Sequence, residues 1–214
     1  MGTIPKHAHR SASVESRRVL GILSLLLILG VVPIQPRAQE AGRESTARAH
    51  LDRARRMLAA DNFPGARAEL ELALKADPNL ADALLNLGMV EYQLGGAAQA
   101  ITHLRRAVEL MPDSFDAHYG LALAYLRERK TDDGVRELGR ARQLNPRHPD
   151  AAFNLGIILL GQGKAAEAER LFRETRTLGP NRPDVSFYVI SAELEQRQFD
   201  EASREAAEGA KVLG

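Results

Sequence analysis

Residues 81–114 read ADALLNLGMVEYQLGGAAQAITHLRRAVELMPDS, and residues 115–148 read FDAHYGLALAYLRERKTDDGVRELGRARQLNPRH. Set one above the other, they fall into register. Leu87 stands over Leu121, Gly88 over Ala122, Leu104 over Leu138, Ala107 over Ala141 and Pro112 over Pro146. The step extends in both directions, to Pro78 and Pro180, and is 34 residues each time (112−78, 146−112, 180−146). Proline has no amide hydrogen and breaks a helix interior, so each of the four marks a helix end. A fixed period in this range is the signature of stacked two-helix repeats.

Other columns keep the same ruler. A small residue stands twelve before each proline: Ala66, Ala100, Gly134 and Ala168. A bulky apolar residue stands eight before (Leu70, Leu104, Leu138, Phe172), and Ala73, Ala107, Ala141 and Thr175 stand five before. Residues three and four apart share one helix face, so these columns form the core stripe of a second helix. Leu87, Leu121 and Leu155, followed by Gly88, Ala122 and Gly156, form the stripe of a first helix. The small columns predict close approach of the two helices. Asp82, Asp116, Asp150 and Asp184 suit the positive N-terminal end of the first helix. Gly95 and Gly163 fall where that helix ends and predict left-handed caps.

These columns resemble the tetratricopeptide repeat, whose pattern runs Leu-Gly, Tyr, Ala, a bulky apolar residue, Ala and Pro. Leu87-Gly88, Ala100, Leu104, Ala107 and Pro112 carry the resemblance, as do Leu121-Ala122, Tyr125, Leu138, Ala141 and Pro146. It implies an all-α, right-handed α-solenoid of about five two-helix repeats, at 47–80, 81–114, 115–148, 149–182 and 183–214. Two features depart from the family pattern. The large aromatic near the start of a repeat is replaced by His50, Leu84, His118, Ala152 and Ser186, and the fifth repeat has Val189-Ile190 in place of Leu-Gly. His50 and His118 are expected to fill space.

The resemblance also implies a role. Such repeats present an inner wall made of their first helices, and the family's groove positions carry over residue by residue. They give Leu85, Asn86, Met89 and Tyr92 in the second repeat, and Tyr119, Leu123, Leu126 and Arg127 in the third. The fourth gives Phe153, Asn154 and Ile157, and the fifth Phe187 and Tyr188. Leu85, Leu123 and Ile157 suit either packing between neighbouring first helices or a binding face. Tyr92, Tyr119, Phe153 and Tyr188 suit a partner best, because aromatic anchors dominate interface energies. Asn86 and Asn154 are expected to hydrogen-bond a ligand backbone. The implied function is a non-catalytic interaction module that holds a peptide or helix. Self-association through an apolar C-terminal edge (Ala202, Ala206, Val212, Leu213) stands as the alternative, and an accessory enzyme subunit or cryptic hydrolase comes third.

Residues 1–38 differ in kind. Lys6, Arg10, Arg17 and Arg18 precede an apolar run from Val19 to Val32, and Pro33 follows. A basic start before 7–15 apolar residues is the pattern of an export signal. The run is shorter than the ~20 residues of a full membrane span. A cleaved signal peptide and a retained signal anchor both remain open. Either one places the chain at the cell envelope, exported or held at the membrane through residues 19–32. Residues 39–46 are polar and read as a short linker or a helical lead-in.

Composition narrows the chemistry. The 214 residues contain no cysteine, so disulfides, thiolate metal sites and a cysteine nucleophile are excluded. Beyond the leader, 24 of the 29 basic and 27 of the 28 acidic residues remain, a net charge of −3 that makes no case for nucleic acid. The histidines show no zinc-site spacing. Gly161-Gln-Gly163-Lys164 resembles a phosphate loop but continues with Ala165 where Ser or Thr is required, so it is read as a turn. No cofactor, metal or catalytic group is expected.

Overall fold

The computed structural model describes residues 36–179 and 183–213, with side chains over 39–179 and 184–208. The apolar run 19–32, Pro180 and Gly214 lie outside the described residues. The chain divides into two compact units, Met1–Glu44 and Ser45–Gly214. The described part of the first unit is the start of helix α1.

Among the described residues there are ten helices. They are α1 (Pro36–Leu58), α2 (Phe63–Ala76), α3 (Ala81–Gln93), α4 (Ala97–Leu110), α5 (Phe115–Arg127), α6 (Thr131–Leu144), α7 (Pro149–Gly161), α8 (Ala165–Leu178), α9 (Pro183–Glu195) and α10 (Phe199–Leu213). Residues 39–46 lie inside α1. From α3 to α8, first helices of 13 residues alternate with second helices of 14. No described helix is long and apolar enough to cross a membrane.

The proline ruler marks loops. Pro78, Pro112 and Pro146 each follow a C-cap (Asp77, Met111, Asn145) whose amide bonds back to the carbonyl of Ala73, Ala107 or Ala141. Those alanines are the column five before each proline, fully buried with Ala66, Leu70, Ala100, Leu104, Leu138, Ala168, Phe172 and Thr175. The core stripes expected from the sequence are therefore the interior of the stack. Polar stitches join neighbouring repeats from outside. Arg106 Nη2 donates to Asn79 Oδ1 (2.9 Å), and Arg140 Nη2 donates to Asp113 Oδ1 (2.8 Å) one repeat later.

The turn inside each repeat also keeps the period. Asp61, Gly95, Arg129, Gly163 and Arg197 all have positive φ, at 54°, 89°, 58°, 74° and 60°. The amide after each one closes the helix end, running Asn62 to Met57, Gly96 to Glu91, Lys130 to Tyr125, Lys164 to Leu159 and Gln198 to Glu193 at 2.8–2.9 Å. This is the six-to-one bond of a left-handed C-terminal cap. Two of the five caps are the expected glycines; three use residues that meet a Cβ penalty there. The space around Gly95 is open, so Gly95→Ala meets only the backbone penalty. We expect it to lower stability by about 1 kcal/mol, read as a shifted urea midpoint at unchanged m-value.

Candidate protein-binding face

Every residue assigned to the groove lies on α3, α5, α7 or α9, but the structure divides them into three groups. The first fills junctions between repeats. Phe153 is only 7% exposed. Its ring meets Phe172 edge-on at 5.8 Å between centroids and Tyr188 at 5.1 Å. Tyr188 in turn lies 5.2 Å from Phe172. The Phe153 ring, expected to anchor a partner, is thus packed under α9. Leu85 packs toward Ala117 and Leu121 of the next repeat. Met89 reaches the same way, its Sδ 2.7 Å from where a Cβ would stand on Gly120. Leu126, half-buried, packs instead within its own repeat, 2.7 Å from where a Cβ would stand on Gly134 of its second helix.

The second group is engaged in polar and ring contacts. Asn154 Nδ2 donates to Tyr119 Oη at 2.9 Å, tying α7 to α5. The Tyr119 ring stacks on Phe115 (5.4 Å, 12°) with His148 at 5.8 Å. Asn86 Nδ2 donates to the Asp82 carbonyl of its own helix at 2.7 Å. The amide NH2 groups of both asparagines thus already have partners within the fold. The Arg127 guanidinium lies over the Tyr92 ring, 4.4 Å from its centroid, and Nη1 donates to the Tyr92 carbonyl one repeat back. A surface contact of this kind contributes about 0.5–1 kcal/mol.

The third group, which shares Tyr92 and Arg127 with the second, keeps surface to offer. Tyr92, Leu123 and Ile157 are half-buried, and Arg127 and Phe187 are exposed. Leu123 and Ile157 share position nine of their repeats, and Tyr92 and Arg127 stand at positions twelve and thirteen of theirs.

Three family models match this chain: a tetratricopeptide repeat over residues 119–183, a TPR repeat over 90–128 and a further tetratricopeptide repeat over 47–71. The chain contains tetratricopeptide repeats over these residues. Among solved structures, a crystal structure of the MamA protein is 26% identical at a TM-score of 0.70, covering 78% of this chain and 91% of that one. A MamA from Desulfovibrio magneticus RS-1, residue 41 to the end, is 16% identical at 0.72, covering 78% and 95%. PilF of Pseudomonas aeruginosa is 23% identical at 0.68, covering 79% and 78%. The last two likenesses concern the fold alone. Among curated proteins, none matches the sequence.

Within the tetratricopeptide register, the histidines find structural work that their spacing carried and the sequence reading passed over. His50 Nδ1 lies 2.7 Å from Glu69 Oε2, which also accepts from Arg53 Nε at 2.9 Å. Those two partners, His50 first, hold the Glu69 carboxyl below its ordinary range. Two repeats later His118 Nδ1 lies 2.6 Å from Glu137 Oε2, and Nε2 lies 3.0 Å from the Pro112 carbonyl oxygen. Both His–Glu separations are 19 residues, the distance from a first helix to its second. In the repeat between them the order reverses, with His103 Nδ1 2.8 Å from Glu91 Oε2. Each pair clips the two helices of one repeat. Among the described residues no three or more His, Asp or Glu side chains are placed to share a metal ion. The phosphate-loop lookalike is the capped turn of the fourth repeat, with Gly163 at φ 74° in register with Gly95.

Proposed function

We propose that this tetratricopeptide protein is a non-catalytic interaction module that holds a partner's peptide or helix against its first helices. It works at the cell envelope, exported or anchored through residues 19–32. The observation that carries the binding role is the set of half-buried side chains Leu123 and Ile157, at position nine of their repeats, with Tyr92 at position twelve, beside the exposed Arg127. Half-buried rings and aliphatics held by a rigid stack lose little entropy when a partner covers them. Arg and Tyr are also the residue types that concentrate interface energy.

The test compares partners captured by wild type and by the Tyr92→Ala/Leu123→Ser/Arg127→Ala variant, with thermal unfolding of both measured alongside. We expect the folded variant to lose affinity by at least about tenfold. Undiminished capture of every partner would sink the reading. Intact mass of the mature protein in membrane and soluble fractions tests the envelope assignment.

A further inference from the structure

Position five of the five repeats holds Leu51, Leu85, Tyr119, Phe153 and Phe187. At each junction where the position is apolar and followed by a repeat, the next first helix covers it. Leu51 is 3% exposed and shares one core with Ala83, Leu87 and Val90 of α3. Leu85 packs against the clusters of Ala117, Leu121 and Ala124 of α5. Phe153 is clustered with Val185 and Val189 of α9, whose Ala192 is also fully buried.

The covering stripe is therefore the same object each time. It is a small or aliphatic residue at i, i+4 and i+7, which is one narrow face of a helix. Its members are Ala83-Leu87-Val90, then Ala117-Leu121-Ala124, then Val185-Val189-Ala192. On the fifth repeat the receiving face recurs without its cover. Phe187 and Leu194 repeat Phe153 and Leu160 of α7 residue for residue, yet they are 65% and 47% exposed. An aromatic and a leucine seven apart on one helix make an anchor pair of the kind interfaces use.

We propose that this face of α9 takes a helix of another protein carrying that small-aliphatic stripe, docked as the first helices dock on one another. The stacking geometry inside the chain specifies the ligand: a helix with Ala or Val at both ends of the stripe, and no charge along it. A second copy of this chain does not supply it from its first repeat. There the stripe positions hold Ala49, Arg53 and Arg56, all exposed. The Arg56 guanidinium laid on Phe187 and Leu194 would have to give up hydration with no acceptor on that apolar face, and Arg53 would carry its Glu69 ion pair into the contact. This site is separate from the Tyr92–Leu123–Arg127 face.

The probe is a labelled peptide of residues 183–195, cross-linked to hold it helical because 13 residues alone are marginal. It carries Phe187→Ser and Leu194→Ser so that it presents only the stripe. Anisotropy titration with the full chain should give saturable binding. The chain variant Phe187→Ser/Leu194→Ser, altered at exposed positions and checked for an unchanged thermal midpoint, should bind at least about tenfold more weakly. A peptide with Val189→Glu should weaken by the same margin. The Tyr92→Ala/Leu123→Ser/Arg127→Ala chain should bind like wild type, which separates this site from the other face. Absent binding, or equal binding by the Phe187→Ser/Leu194→Ser chain (as when the peptide merely displaces α9), overturns the proposal. So does a concentration-dependent dimer that the same substitutions abolish, since a second copy would then be the occupant.

Discussion

Phe172→Ala is expected to cost about 3–5 kcal/mol, the largest single loss available in this stack. Phe172 is the largest fully buried side chain among the described residues. Its ring fills the space above Gly156, where a Cβ would come within 2.6 Å of its Cε1. It also touches Phe153 and Tyr188, so truncation opens a hole where the fourth and fifth repeats meet. Neighbours on three helices, α7, α8 and α9, cannot all collapse into it, which puts the cost at the upper end of the range for cavity formation. Because repeat arrays store stability in nearest-neighbour interfaces, the loss should be local first. Amide exchange should speed up in α9 and α10 while α3 and α4 stay protected. If exchange rises equally throughout, the array unfolds as one unit and the local account is wrong.

The period made the helix boundaries and the interior legible before any coordinates. Leu70, Leu104, Leu138 and Phe172 are core because three- and four-residue spacing leaves them no other face. The capped turns were half legible. Gly95 and Gly163 announce a left-handed residue and Asp61 hints at one, whereas Arg129 and Arg197 adopt the same φ under the pull of the helix-ending bond and give no local sign. Their register with Gly95 was the available signal.

The binding face was less legible, for a physical reason. A repeat position tells which way a side chain leaves its helix, not what lies across from it. Leu85 and Phe153 leave on the inner side and are then covered by the next repeat, while Phe187 at the same position is not. Leu126 swings into the gap that Gly134 leaves in its own second helix. The His–Glu clips escaped because residues 19 apart look unrelated until the two-helix period is used to fold them together.

Gly88→Val should lower stability by about 2–3 kcal/mol, while exchanging the small residues of that crossing should be nearly neutral. A Cβ on Gly88 would stand 2.5 Å from Leu104 Cγ and 3.3 Å from the Ala100 carbonyl oxygen. Leu104 is fully buried and already abuts Gly120 of the next repeat, where a Cβ would stand 3.2 Å from its Cδ2, so it has little room to retreat. The third repeat solves the same crossing the other way round. Ala122 stands where Gly88 does and Gly134 where Ala100 does, and a Cβ on Gly134 would stand 3.3 Å from the Ala122 carbonyl oxygen. The crossings of the second, third and fourth repeats each carry one glycine and one alanine, on either helix, whereas the first has Ala54 and Ala66 and the fifth Ile190 and Ala202. The exchange Gly88→Ala/Ala100→Gly keeps that sum. It also moves one helical glycine from α3 to α4, so the propensity terms of about 1 kcal/mol cancel. Denaturant unfolding of the two single variants, the exchange and Gly88→Val decides the matter. We expect the exchange to fall within about 1 kcal/mol of wild type and above Gly88→Ala alone, with a coupling energy of the size seen for residues in contact. If Gly88→Val unfolds at the wild-type midpoint, the helices have room to spare there, and the small columns would owe their place in the repeat to something other than close approach.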